Sequence, residues 1–224
     1  MVTLGLLHTS AVHVPVFDGL RDEGHPGVEL RHHVVEELLE RARVVGAEAV
    51  APDVRDALVR VVGGGAEGGS GGGVGAVLCT CSTIGGVAEA LGGDLGVPVL
   101  RVDRPMAAAA VASGPRVVVL ATVESTVGPT VALVEEEAVR AGRAASVRAE
   151  LVGGAWELFL AGDSAGYAEA VARAVRGVRG ADVIVLAQAS MAGGAELDPE
   201  GEARVPVLSS PRVGLAAAVG AAGG

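Results

Sequence analysis

The chain has 224 residues, half of them hydrophobic but only 2% aromatic, and a formal net charge of -10. That length allows one large domain or two small lobes, with a core of Ala, Val, Leu and Gly. No lysine occurs, which excludes a pyridoxal Schiff base and a P-loop lysine, and the acidic balance argues against nucleic-acid binding.

The N-terminal "MVTLGLLHTS" lacks a basic region and so is not read as a signal peptide. It predicts the first strand, Val2–His8, and a second follows at Val28–Val34. "VEELLERARVV" then puts Leu38, Leu39, Ala42 and Val45 on one helical face. The glycine-rich tract 61–77 ends a helical pattern and precedes a strand, the reverse of a dinucleotide-binding fingerprint, so it reads as a surface loop. Further strands are predicted at Ala76–Cys81, Val97–Val102, Arg116–Thr122, Val147–Val152, Val183–Ala187 and Val205–Leu208. Helical patterns at 130–143 and 167–180 separate the later ones. This alternation implies an α/β fold with mainly parallel sheets flanked by helices on both faces. The longest apolar tracts, such as the C-terminal "VGLAAAVGAAGG", are too short to span a membrane.

Two segments echo each other. "LCTCSTIGG" at 78–86 recurs as "LAQASMAGG" at 186–194, and "VPVL" at 97–100 recurs at 205–208, both 108 residues apart. "LLHTS" similarly matches "VLATV" at 119–123, pairing Thr9 with Thr122. The echo predicts a duplicated half, giving two pseudo-symmetric lobes: 1–103 with 209–224, and 104–208. Ligands of parallel sheets sit beyond the carboxyl ends of the strands. Lobes facing each other would place residues 81 and 189 on opposite sides of one cleft.

The two cysteines, Cys79 and Cys81, lie too close on a strand for a structural disulfide, which fits a reducing cytoplasm. Cys79 reads as a small buried hydrophobe and Cys81, at the turn, as the reactive one. The histidines show no metal-ligand spacing, and His32 and His33 point oppositely from one strand. No metal is expected.

These motifs resemble the aspartate/glutamate/hydantoin racemase superfamily, a wider group that includes maleate isomerases and arylmalonate decarboxylases. The resemblance rests on "LGLLHTS", "CTCSTIGG", "VDRPM" at 102–106, "VVVLATVEST" at 117–126, "VIVLAQASMAG" and "VPVLSSPR". It implies two similar α/β lobes, no cofactor, and a cysteine from each lobe flanking the α-carbon of a small carboxylate. By position Cys81 matches the first-lobe cysteine, and Ser82 and Thr83 the polar pair after it. Ala189 takes the second-lobe cysteine position, with Ser190 beside it. Thr9, Ser10 and Thr122, at strand ends, complete the expected substrate-binding set. Asp103, Arg104, Ser209 and Ser210 read as cleft or hinge residues.

A thiol can move a proton at the carbon α to a carboxylate when nearby donors hold the resulting charge. With Ala189 unable to transfer a proton, three outcomes stand open. Cys81 works alone on one face, as in isomerisation or decarboxylation. Or His8 or Glu124, at strand ends, supplies the second proton, His8 through its ordinary pKa near 6.5. Or the chain is a catalytically silent binder of a small carboxylate. The sequence leaves a homodimer or higher homo-oligomer open.

Overall fold

The computed structural model describes residues 2–63, 73–197 and 205–223. The chain divides into two compact units, Met1–Val102 with Pro211–Gly224, and Asp103–Ser210.

The first unit runs β1 (Val2–His8), α1 (His13–Gly24), β2 (Val28–Val34), α2 (Glu36–Val45), α3 (Ala51–Val62), β3 (Ala76–Cys79), α4 (Ser82–Leu91) and β4 (Val99–Arg101). Its four parallel strands are ordered β2-β1-β3-β4. Alternate side chains leave opposite faces of a strand. Leu4, Leu6, Ala76 and Leu78 therefore meet Phe17 of α1 on one face. On the other face Leu7, Val77 and Cys79 meet Leu38, Val54, Leu58 and Ile84 from α2, α3 and α4. Both faces of the central strands β1 and β3 are covered and buried, which explains why these two read as apolar runs rather than as alternating ones.

The second unit runs α5 (Arg104–Ser113), β5 (Arg116–Ala121), α6 (Glu124–Arg140), β6 (Ser146–Leu151), α7 (Ala155–Leu160), α8 (Ser164–Gly177), β7 (Val183–Leu186), a 3₁₀ turn at Ala189–Met191, α9 (Ala192–Glu196) and β8 (Val207–Leu208). Its order, β6-β5-β7-β8, repeats that of the first unit strand for strand. Val117, Val119, Val183 and Val185 pack on α5 and α6. Val118, Leu120, Ile184 and Leu186 pack on Tyr167, Val171 and Val175 of α8. The last helix, α10 (Ser210–Ala222), returns Leu215 and Ala218 to the first unit's core. The helix after β4 thus opens the second unit, and the helix after β8 closes the first.

All eight expected strands form, with ends shifted by up to two residues. The helix expected over 130–143 starts earlier, at Glu124, and passes through Pro129. The loop expected within the glycine-rich tract falls mainly on residues 64–72, outside the described residues; its flanks are the end of α3 and the start of β3.

The pairing fixes the duplication at the residue level. Thr80 N donates to Leu7 O at 3.0 Å, and Ala187 N to Leu120 O at 2.9 Å. Leu7 pairs with Cys79 in the register of β1 and β3, and Leu120 with Leu186 in that of β5 and β7. Val77 and Cys79 share the face that receives α3 and α4; Ile184 and Leu186 share the face that receives α8 and α9. Each comparison sets β3 against β7 with a separation of 107 residues, one fewer than the sequence echo. In a strand a slip of one residue exchanges the two faces. The structure therefore pairs Cys81 with Gln188, Ser82 with Ala189 and Thr83 with Ser190, while Thr9 stays matched to Thr122.

Leu120 sits in a central strand at 1% exposure. Leu120→Ala is expected to cost about 2–5 kcal/mol through lost burial and the cavity left behind, read as a lowered urea midpoint.

Candidate active site

In each unit a central strand ends, the chain stays extended for two residues, and a helical segment begins. At the first of these turns Cys81 is the N-cap of α4, in extended backbone at φ -105°, and 8% exposed. The first helical amides, from Ser82 onward, have no intrahelical acceptor and present positive partial charge. Ser82 and Thr83 are buried, and the Thr83 Oγ1 has no hydrogen-bond partner among the described residues. A buried hydroxyl without a partner carries a desolvation cost that a ligand oxygen would relieve. Cys79 is fully buried one strand step below, its Sγ 3.8 Å from the Cys81 carbonyl, as a core residue.

Arg101 was not singled out in the sequence, yet it is a buried cation, 5% exposed, on the strand beside β3. It lies against the first turns of α4: a side chain at Gly85 would come within 3.1 Å of its Cβ, and one at Gly86 within 3.3 Å of its Nη1. The glycines keep that space for the arginine. An apolar neighbourhood hides such a residue from pattern reading, since a lone Arg at a strand end looks like a surface charge.

His8 departs from its expected role. It is fully buried, with Nδ1 2.8 Å from Thr80 Oγ1 and Nε2 2.8 Å from His32 Nδ1. Burial above all, with the neighbouring His32 and His13, lowers its pKa to about 3. The imidazole is neutral at pH 7, so it is no source of a proton there. Thr80 Oγ1 donates to Leu7 O, which makes it the acceptor for His8 Nδ1–H. His8 Nε2 then accepts from His32 Nδ1–H, and His32 Nε2 lies 3.4 Å from Asp18 Oδ1. This chain of bonds runs from His32 of β2 to the residue between the two cysteines and braces the turn that carries Cys81. Thr9 is buried, Ser10 half-buried, and Glu124 is the exposed first residue of α6.

At the second turn Gln188 is the N-cap of the 3₁₀ turn, extended at φ -119° and 9% exposed. Its Oε1 accepts from Thr122 N at 2.7 Å and Thr122 Oγ1 at 3.0 Å. Tyr167 OH links Thr122 Oγ1, at 3.2 Å, to Ser190 Oγ, at 2.9 Å. Burial raises the Tyr167 pKa, so it remains a neutral phenol. Gly194 lets α9 close on α8, where any side chain would strike Val171. Ala189, read from the sequence as the counterpart of Cys81, instead follows that position. The repeated Ser and Gly letters produced the one-residue slip, because valine- and leucine-rich strands carry little register information of their own. Tyr167 and Gln188 were missed; an amide and a phenol on separate elements leave no spacing signal.

Among the described residues, no three or more His, Cys, Asp or Glu side chains gather in a way that could hold a metal ion. No helix among them is long and apolar enough to cross a membrane.

A sequence profile described as Asp/Glu/Hydantoin racemase matches residues 22–218. No match was found among curated protein sequences. Solved structures share the fold. Aspartate racemase from Picrophilus torridus superposes with a TM-score of 0.70 at 15% identity, covering 100% of this chain and 95% of that one. Allantoin racemase from Pseudomonas fluorescens gives 0.66 at 24% identity, covering 98% and 90%. Arylmalonate decarboxylase gives 0.63 at 18% identity, covering 99% and 93%.

The histidines make stability depend on pH. His8, at about 3, and His13, lowered by burial to about 4, resist protonation in the folded chain. The unfolded chain takes up both protons below about pH 6.5. Stability present above that pH is therefore lost as pH falls toward 4, by up to about 1.4 kcal/mol per pH unit for each histidine. Urea midpoints between pH 7 and 5 are expected to fall, and to fall less steeply in His13→Gln.

Proposed function

Because the chain belongs to the Asp/Glu/hydantoin racemase family, we propose that it is a cofactor-independent enzyme acting at the carbon α to the carboxylate of a small amino or dicarboxylic acid. Cys81 is its one proton-transfer thiol. A single observation carries this reading: Cys81 caps α4 beside an unpartnered Thr83 hydroxyl, while the residue in the equivalent place of the repeat is an amide, Gln188.

The chemistry follows from those groups. For proton exchange, the Cys81 thiolate takes the α-proton, and the electron pair of the C–H bond moves onto the carboxylate as an enediolate. Amides of α4 and the Thr83 hydroxyl hold that charge; losing one donor of this kind costs about 10²–10³ in rate. For a malonate-type acid, the C–C bond to one carboxylate breaks, CO₂ leaves with no electron pair, and the same enediolate takes a proton from the Cys81 thiol. Solvent then reprotonates the sulfur. Either course needs an acid or base on one face only. Racemisation needs a second acid for the opposite face, and neither Gln188 nor the neutral, buried His8 is one at pH 7.

Aspartate, glutamate, allantoin and phenylmalonate are the acids and analogues to test, by α-deuterium incorporation in D₂O and by CO₂ release. Exchange or decarboxylation of a single stereochemical course is expected, falling to background in Cys81→Ala. Activity retained in Cys81→Ala would remove the thiol from the mechanism. Binding without exchange or CO₂ release would make the chain a carboxylate-binding protein instead. Gln188→Cys is expected to add inversion to any exchange, and Ala189→Cys is not.

A further inference from the structure

We propose that the side-chain amide of Gln188 is a substrate-binding donor, aimed at a carboxylate or carbonyl oxygen and held in place by Thr122, Tyr167 and Ser190. The inference rests on the reading of the chain as one that takes a small carboxylic acid, and it assigns Gln188 a role that the thiol chemistry leaves empty.

Hydrogen-bond direction fixes the amide's orientation. A backbone N–H only donates, so the atom 2.7 Å from Thr122 N is the carbonyl oxygen Oε1 and not the nitrogen. The Thr122 hydroxyl spends its proton on the same oxygen, at 3.0 Å. Its lone pairs then accept from Tyr167 OH at 3.2 Å, and the Tyr167 oxygen accepts from Ser190 Oγ–H at 2.9 Å. The protons all point one way, from Ser190 through Tyr167 and Thr122 to Oε1. Bonds in such a chain polarise one another, and an amide whose oxygen is doubly hydrogen-bonded is a better donor at nitrogen.

The consequence lies at Nε2. It has two N–H groups and makes no hydrogen bond with any described residue, although Gln188 is nine-tenths buried. It stands where the central strand of a parallel sheet ends, the place where such folds bind ligands. The ligand must be an acceptor, since Nε2 offers donors only. Ser190 has its proton turned inward and is a support for the amide rather than a donor to the substrate. Tyr167 is a positioning residue that acts through Thr122.

Isothermal titration of phenylmalonate and L-aspartate into the Cys81→Ser chain, which stops turnover, tests the assignment. Gln188→Ala removes one hydrogen bond to a charged group and is expected to weaken binding roughly 10- to 100-fold. Gln188→Glu keeps shape and the bonds from Thr122 but turns a donor into an anion, and is expected to weaken it at least about 100-fold. Its melting temperature should stay close to that of the parent. In the Cys81 enzyme, Tyr167→Phe should raise KM roughly 5-fold with kcat little changed, the weaker effect of an indirect partner. Unchanged affinity in Gln188→Glu, or no binding of either acid by the parent chain, overturns the proposal. The two readings fail separately. Binding lost in Gln188→Glu, with neither proton exchange nor CO₂ release in the Cys81 enzyme, leaves this inference standing and ends the enzymatic one. Exchange with an unaltered KM in Gln188→Glu does the reverse.

Discussion

A parallel strand that ends in the middle of a sheet must give way to a helix while still surrounded by packed side chains. At both such turns in this chain the backbone changes from extended to helical at one residue, Cys81 or Gln188. The amides that open each helical segment point outward from a buried place, and the neighbouring polar groups must be satisfied there. Everything specific about the chain's chemistry grows from how the two turns meet that demand. Their backbones are alike because the sheets are alike. Their side chains differ, and the difference is chemical rather than architectural.

Each turn is braced by a separate network of buried polar side chains. Thr80, His8 and His32 support the first; Thr122, Tyr167 and Ser190 support the second. In both, a side chain from the β3 or β7 turn reaches one at the end of the neighbouring strand, β1 or β5. The outcome is opposite. Thr80 points into the histidine chain and leaves the next residue, the Cys81 thiol, outside it. Gln188 is itself part of the network, with one end tied and the other presented. Beside these networks, Thr83 Oγ1 and Gln188 Nε2 make no hydrogen bond with the described residues, and each could take an external oxygen.

Much of the fold was legible. Val/Leu runs marked the central strands, and the recurrence of "VPVL" and of Ser and Gly turns marked the repeat. What the sequence could not supply was register. Leu78 and Leu186 look equivalent as letters, yet they face opposite sides of their respective sheets, Leu78 toward α1 and Leu186 toward α8. One residue's difference moved the counterpart of Cys81 from an inert methyl to a donor. Burial was equally hidden. His8 has the composition of an acid–base residue, and only the surrounding Phe17, Thr80 and His32 make it a neutral structural one. The turn at Cys81, Ser82 and Thr83 was legible because the sequence passes there from an apolar strand to a glycine-containing helix start.

Net charge poses the last question, since a chain of -10 repels the acids it is proposed to bind. The repulsion is mainly a matter of distant surface carboxylates, and salt screens these beyond about 8–10 Å under physiological conditions. Inside that range the local groups decide the balance, and each turn taken by itself offers donors without formal charge: the α4 amides and the Thr83 hydroxyl at the first, the Gln188 amide at the second. Neutral donors would also suit the proposed reaction better than a lysine. A fixed cation lowers the energy of the bound carboxylate and of the enediolate alike, whereas only stabilisation that grows as charge moves onto the oxygens raises kcat. Oriented dipoles need no reorganisation when that charge arrives. Arg101 lies buried against Gly85 and Gly86 of α4. A lysine-free, acidic protein can thus hold an anion, provided its donors are fixed before the anion comes.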